Sequence, residues 1–203
     1  MNLKYKNYKF RLGGHSKGGN IAIYAGLMYE NKNIISLDCY DGPGFFNSFY
    51  DNIKNKDLLK KSNCYLPKDS IVGRILEHKE NIIVVDSSGN GIWQHDIFTW
   101  YVDKYNIIKY DNLSSGSNAI YETLKNMIDL TTASQRKIFF DSIFSLIYST
   151  GKDSFKEVSL LKSIPKLLST YKKIDENDRK LVNKFIVEFI KKYIINYGKN
   201  LTK

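Results

Sequence analysis

The chain has 203 residues, of which 42% are hydrophobic and 14% aromatic, and this composition is typical of a folded domain rather than a disordered one. The formal net charge of +10 is spread along the sequence without a dense basic block, so we do not expect nucleic-acid binding. The first ten residues show no signal-peptide pattern and no apolar run is long enough to span a membrane, so we expect a cytoplasmic protein.

The first half of the chain, up to about residue 110, alternates short apolar runs with Gly, Asp, Ser and Asn. The predicted strands are "YKFRLGG", "IISLDCY", "NCYL" and "ENIIVVDSS", and the predicted helices between them are "GNIAIYAGLMYEN", "YDNIKNKDLLKKS" and "SIVGRILEH". Alternating strands and helices are the pattern of parallel βαβ units. We therefore predict an α/β fold with a mostly parallel sheet.

The second half is helical from about residue 115 onward. Thr132 is a predicted N-cap, and Ser154 with Glu157 forms a predicted capping box. The last helix, "ENDRKLVNKFIVEFIKKYIINYG", has apolar residues at steps of four and lysines opposite. Packing against neighbouring helices is the favoured interpretation, and contact with a membrane surface is the alternative. We divide the chain into a core over 1–110 and a helical extension over 111–203 packed on it.

Two cysteines, Cys39 and Cys64, are too few for a disulfide framework and lack the spacing of a metal site. We expect both to be reduced residues of the core. Nothing in the sequence predicts a metal ion or another cofactor.

The pentapeptide "GHSKG" matches the G-x-S-x-G pattern between a predicted strand and a predicted helix, which is the context of a nucleophile elbow. Ser16 is the predicted nucleophile, and Gly14 and Gly18 are predicted to allow the close approach of strand and helix. The backbone N–H of Lys17, at the start of the helix, is the predicted oxyanion donor. A phosphate-binding loop is disfavoured because the glycines follow neither phosphate-loop pattern.

A serine nucleophile needs a histidine base, and the chain has three histidines. His15 lies inside the elbow and is expected to point away from the site, whereas His78 is expected to be a surface residue or the C-terminal residue of the helix predicted before it. His95 follows the last predicted strand, at the carboxyl edge of the sheet, and is the predicted base.

Two carboxylates compete for the third position of the triad. Asp69 follows the third strand and lies between Ser16 and His95 in the sequence, so it is the preferred acid. Asp41 follows the second strand and is the alternative, since some hydrolases carry the acid one strand earlier. Asp69 is alternatively an N-cap of the helix predicted after it.

Four motifs in order, "GHSKGGNIAIYAG", "DCYDGPGF", "PKDSIVGRILEH" and "IIVVDSSGNGIWQHDIFTW", together resemble the Mbeg1-like family of the α/β-hydrolase superfamily. The resemblance covers roughly residues 8–105, and the family is similar in layout to the class 3 lipases. It implies a lipase- or esterase-like hydrolase with Ser16, Asp69 and His95 as its triad and a lipid-like ester as its substrate.

One departure from the complete hydrolase pattern concerns the position of Ser16, which has room for a single strand before it. The earlier strands, and the loop that supplies a second oxyanion donor, are not in this sequence. We therefore expect an N-terminally truncated, partial α/β-hydrolase fold whose exposed sheet edge favours self-association or a partner chain. The alternative function is a catalytically inactive remnant or a binding module.

Overall fold

The sheet of this protein has four parallel strands. The computed structural model describes residues 8–149 and 168–202, so the predicted capping box of Ser154 and Glu157 lies outside the described residues. The strands are β1 (Phe10–His15), β2 (Ile34–Tyr40), β3 (Ser62–Pro67) and β4 (Asn81–Val85), and their order in the sheet is their order in the chain. With the helices that follow, this is an α/β architecture consistent with a partial α/β-hydrolase-like fold.

The helices alternate with the strands and then continue alone. They are α1 (Lys17–Met28), α2 (Asn47–Asp51), α3 (Lys56–Leu59), α4 (Ser115–Asp129), α5 (Ala133–Ser149) and α6 (Glu176–Leu201). Residues 168–173 are also helical, and short 3₁₀ turns cover Val72–Arg74, Gly91–His95 and Ile97–Thr99.

Two of the predicted helices differ from the structure. The helix predicted over residues 50–62 is divided into α2 and α3 because Asn55 begins a new helix, its side chain accepting a hydrogen bond from the N–H of Leu58 at 3.1 Å. The prediction of a helix over residues 70–78 is wrong. Within this segment the structure has only the 3₁₀ turn Val72–Arg74.

The carboxyl ends of the strands lie along one edge of the sheet. His15 at the end of β1 is in register with Tyr40 of β2, and Tyr40 is in register with Tyr65 of β3. Pro67 is in turn paired with Val85, the last residue of β4. The residues that follow the four strands therefore emerge at the same edge, which is where open α/β sheets place their ligand sites.

The core lies between α1 and the sheet. Ile23 and Leu27 of α1 are buried together with Leu37 of β2 and Leu66 of β3, and full burial of each such side chain contributes about 1.5–3 kcal/mol. Cys39 and Cys64 lie in the same cluster, and both are free thiols. The prediction of reduced core cysteines is confirmed.

The chain divides into two compact units, one of residues up to Glu122 together with those from Lys199 onward, and one of Thr123–Gly198. In the second unit, Thr132 caps α5 as predicted. Its hydroxyl accepts from the N–H of Gln135 at 3.2 Å, and the side-chain oxygen of Gln135 accepts from the N–H of Thr132 at 3.0 Å. Two-sided capping of this kind satisfies donors that a helix leaves unpaired.

Candidate active site

Ser16 lies in the turn between the end of β1 and the start of α1. Its backbone has φ 55° and ψ −129°, a conformation that costs a non-glycine residue of order 1–3 kcal/mol and is characteristic of functional turns. The N–H of Ser16 donates to the carbonyl of Tyr40 at 2.9 Å, and the carbonyl of Ser16 accepts from the N–H groups of Gly19 and Asn20. These bonds hold the strained turn between β2 and the first turn of α1.

The close approach of strand and helix depends on Gly14 and Gly19. A Cβ on Gly14 would lie 2.4 Å from the carbonyl carbon of Gly18, and a Cβ on Gly19 would lie 2.6 Å from the carbonyl oxygen of Gly14. A Cβ on Gly18 would have no atom within 4 Å. The closely packed glycines are therefore Gly14 and Gly19, and Gly18 is not one of them.

Lys17 is the first residue of α1. The first N–H groups of a helix have no carbonyl partner within that helix, and the helix dipole places partial positive charge there. The backbone N–H of Lys17 is therefore positioned beside Ser16 with the polarity that an oxyanion donor needs, while the Lys17 side chain is exposed.

His95 ends the 3₁₀ turn Gly91–His95, in the segment that follows β4. Its Nδ1 lies 2.7 Å from Oδ2 of Asp41, and its side chain is 26% exposed. Since an ionised carboxylate only accepts hydrogen bonds, Nδ1 carries the proton in this pair. Nε2 is then the basic nitrogen of the His95 ring.

Asp41 directly follows β2 and is completely buried. Its second oxygen, Oδ1, accepts from the hydroxyl of Ser70 at 2.5 Å and from the N–H of Gly73 at 3.1 Å. A Cβ on Gly73 would lie 2.5 Å from that same oxygen, so the contact requires glycine. Because the N–H of Gly73 donates to Asp41, it is not used in the helix predicted over residues 70–78.

Asp69, the preferred acid of the sequence analysis, forms a different pair. Its N–H donates to Oε1 of Gln94 at 2.8 Å, and Nε2 of Gln94 donates to Oδ2 of Asp69 at 3.0 Å. Gln94 is buried and its carbonyl accepts from the indole N–H of Trp100. Asp69 thus supports the turn that carries His95, whereas the alternative acid, Asp41, is the carboxylate bonded to the His95 ring.

The two other histidines also differ from expectation. His15 does not point away from the site: its Nε2–H donates to the carbonyl of His95 at 2.7 Å, and the two ring centroids are 4.5 Å apart. His78 is not at the surface, since its side chain is 4% exposed and its Nδ1 lies 3.1 Å from the carboxylate of Glu80. His78 belongs to the buried interior and His15 to the site.

A buried polar cluster surrounds Glu80, apart from the candidate site. The hydroxyl of Tyr50 donates to Glu80 at 3.0 Å. Burial, together with the charge of Glu80, raises the pKa of Tyr50 far above its ordinary value. The hydrogen bond with Cys39, followed by burial, raises the pKa of the Cys64 thiol. A thiol with a raised pKa is a poor nucleophile at neutral pH, so Cys64 is not a candidate nucleophile.

The sequence did not single out Ser70, Gly73 or Gln94. Each is hydrogen-bonded to an aspartate that lies 25 to 32 residues away in the sequence. No local motif marks such a contact. The one available signal is that Ser70 and Gly73 lie one and four residues after Asp69, in a segment predicted to follow a strand at the functional edge.

Within residues 8–149 and 168–202, no group of three or more His, Cys, Asp or Glu side chains is arranged to hold a metal ion. In the same ranges, no helix has both the length and the apolar character needed to cross a bilayer.

Comparison with known proteins identifies the family. A scan against models of protein families matches the Mbeg1-like model over residues 1–145, a range that contains every residue of the candidate site. Neither a search of curated proteins nor a search of solved structures finds a match. The chain belongs to the Mbeg1-like family.

Proposed function

We propose that this protein is a serine hydrolase of carboxylic esters, with Ser16 as nucleophile, His95 as base and Asp41 as the acid that orients His95. The observation that carries the proposal is the 2.7 Å contact between Nδ1 of His95 and the buried carboxylate of Asp41, at the same sheet edge as the strained Ser16 turn. A serine, a histidine and a carboxylate are the parts of a catalytic triad, and this contact supplies the histidine–carboxylate pair.

The proposed reaction has two stages. Nε2 of His95 takes the hydroxyl proton as Ser16 Oγ attacks the ester carbonyl, and the N–H of Lys17 donates to the oxyanion. His95 then protonates the leaving alcohol, which departs from the acyl-enzyme. A water molecule, activated by the same nitrogen, hydrolyses the acyl-enzyme. Asp41 keeps its charge throughout and stabilises the imidazolium.

The surroundings of His95 support an apolar acyl group in the substrate. Trp93 is 49% exposed and Phe98 is 92% exposed, and both lie within three residues of His95, so they are close to it in space. Ile92 and Ile97 are also exposed. Exposed apolar side chains beside the proposed base favour an apolar substrate over a charged one, so the proposed substrate is a lipid-like ester.

Covalent labelling with a fluorophosphonate tests the proposal. We expect the intact mass to rise by one adduct per chain, located on Ser16 by peptide mapping. The Ser16→Ala variant should not be labelled, and His95→Ala should be labelled much more slowly because the base is gone. Absence of labelling in well-folded wild-type protein would contradict the proposal and favour a non-catalytic binding module.

A series of p-nitrophenyl esters tests the substrate class. We expect hydrolysis to increase from acetyl to longer acyl chains, because each added methylene buried against the apolar surface contributes about 0.8 kcal/mol at most. Trp93→Ser should slow hydrolysis of the long-chain esters more than hydrolysis of the acetyl ester, so that the rate depends less on chain length. A flat response to chain length would contradict the lipid-like assignment without affecting the assignment of Ser16.

A further inference from the structure

His15 connects the nucleophile turn with the residue proposed as the base. It is the last residue of β1 and directly precedes Ser16. Its Nε2 lies 2.7 Å from the carbonyl oxygen of His95, a residue 80 positions away in the chain. Because a carbonyl only accepts, Nε2 of His15 is the donor, and this holds for the Nε2–H tautomer and for the protonated ring alike.

The contacts of His15 and Asp41 hold different parts of His95. Asp41 binds Nδ1 and so fixes one end of the imidazole. His15 binds the backbone carbonyl from which that side chain projects, and its ring packs against the His95 ring at a centroid distance of 4.5 Å and an angle of 38°. The backbone and one face of the His95 ring are therefore both held from β1.

This arrangement couples the two reacting residues. The residue that anchors His95 is bonded directly to Ser16 in the chain, with the two Cα atoms about 3.8 Å apart. The 3₁₀ turn Gly91–His95 comes from the far end of the sheet, after β4. A hydrogen bond from the residue beside the nucleophile keeps the end of this turn in place relative to Ser16.

We propose that His15 is a positioning residue, which holds His95 for reaction with Ser16 through the hydrogen bond to the His95 carbonyl. This role rests on the proposed function. His15 is the first variable position of the G-x-S-x-G motif, and this role gives that position a function in this chain. A misplacement of about 1 Å between reacting groups can cost about 10²-fold in rate, so loss of this anchor should be visible in the reactivity of Ser16.

Two substitutions separate the hydrogen bond from the ring packing. His15→Phe keeps an aromatic ring and removes the donor, whereas His15→Gln removes the ring and keeps an N–H donor at a similar distance from the backbone. We expect Phe to slow fluorophosphonate labelling of Ser16 by about 10- to 100-fold and Gln to restore most of the rate. Arg11→Gln, at an exposed position of the same strand, is the control and should label at the wild-type rate.

A second measurement does not depend on activity. The Nδ1 proton that His95 shares with Asp41 should give a low-field proton resonance, assigned by its loss in His95→Gln. We expect this resonance to broaden or disappear in His15→Phe and to persist in His15→Gln and Arg11→Gln. If wild-type Ser16 is not labelled at all, the proposed function fails, and the resonance still decides the role of His15.

Two results would overturn the role of His15. One is wild-type labelling with an unchanged resonance in His15→Phe, which would show that the anchor is unnecessary. The other is an equal loss in the Phe and Gln variants while their urea midpoints match wild type, which would show that the hydrogen bond is not what positions His95.

Discussion

The hydroxyl of Ser70 donates to Oδ1 of Asp41 at 2.5 Å, and both side chains are buried. Ser70 is itself held from α4, since the hydroxyl of Ser117 donates to the Ser70 carbonyl at 2.8 Å. With the N–H of Gly73 and the ring of His95, Asp41 has donors on both carboxylate oxygens. A buried carboxylate needs such donors to remain charged, so Ser70 keeps Asp41 ready to bind His95.

Replacement of Ser70 tests this support. Ser70→Ala leaves Oδ1 of Asp41 with the N–H of Gly73 alone, and we expect the free energy of unfolding to fall by about 1–3 kcal/mol. Urea denaturation measures the change, with Ser48→Ala at an exposed position of α2 as the control. A Ser70→Ala variant as stable as the control would show that the hydroxyl does not support the carboxylate.

The neighbouring glycines of the elbow provide a matched pair. Gly19→Ala would bring a Cβ within 2.6 Å of the Gly14 carbonyl oxygen, whereas Gly18→Ala would meet no atom within 4 Å. We expect the first to lower the melting temperature and the second to leave it unchanged or raise it, because alanine is favoured over glycine in a helix by up to about 1 kcal/mol. Equal effects of the two variants in thermal unfolding would contradict the geometry of the elbow.

The buried Tyr50 makes stability depend on alkaline pH. In the unfolded chain it ionises near its ordinary pKa of 10.0, while burial and Glu80 raise its pKa in the folded protein. The unfolded state therefore binds fewer protons above about pH 10, and the free energy of unfolding falls as the pH rises. Below pH 10 this contribution is fully present.

Tyr50→Phe removes both the titration and the hydrogen bond to Glu80. We expect the variant to be less stable than wild type at about pH 8, by about 1–3 kcal/mol, and the difference to shrink by about pH 11. Urea denaturation at the two pH values measures it, and Tyr105→Phe, at an exposed position, should match wild type at both. A constant difference would mean that Tyr50 does not titrate differently in the two states.

Much of the sheet was predictable from local patterns. The run "IISLDCY" predicted a strand that the structure has as Ile34–Tyr40, since an apolar run bounded by turn residues has few other solutions. The predicted helix over residues 70–78 failed because the N–H of Gly73 donates to Asp41 and not to a helical carbonyl. A partner 32 residues away leaves no trace in the hydrophobic pattern.

The site was predictable in its parts but not in its pairing. Ser16 and His95 follow from a motif and from a position after a strand, but both Asp41 and Asp69 follow strands that end at the same edge. The path of the segment between β4 and His95 decides which of them reaches the ring. Gln94 helps to fix that path, since its side chain is hydrogen-bonded to Asp69. The ring of the next residue, His95, is hydrogen-bonded to Asp41. His15 was misjudged for the same reason, because its partner is a backbone carbonyl across the site.

The central claim is that Asp41 orients His95 for reaction with Ser16, and the comparison of Asp41→Asn with Asp69→Asn tests it most directly. The rate of fluorophosphonate labelling of Ser16 is the measurement, with matched urea midpoints to confirm folding. We predict a decrease of about 10³–10⁴-fold in Asp41→Asn, because an amide does not hold the required tautomer, and less than about tenfold in Asp69→Asn, which only supports the turn. Wild-type labelling in Asp41→Asn, or a greater loss in Asp69→Asn, would contradict the account.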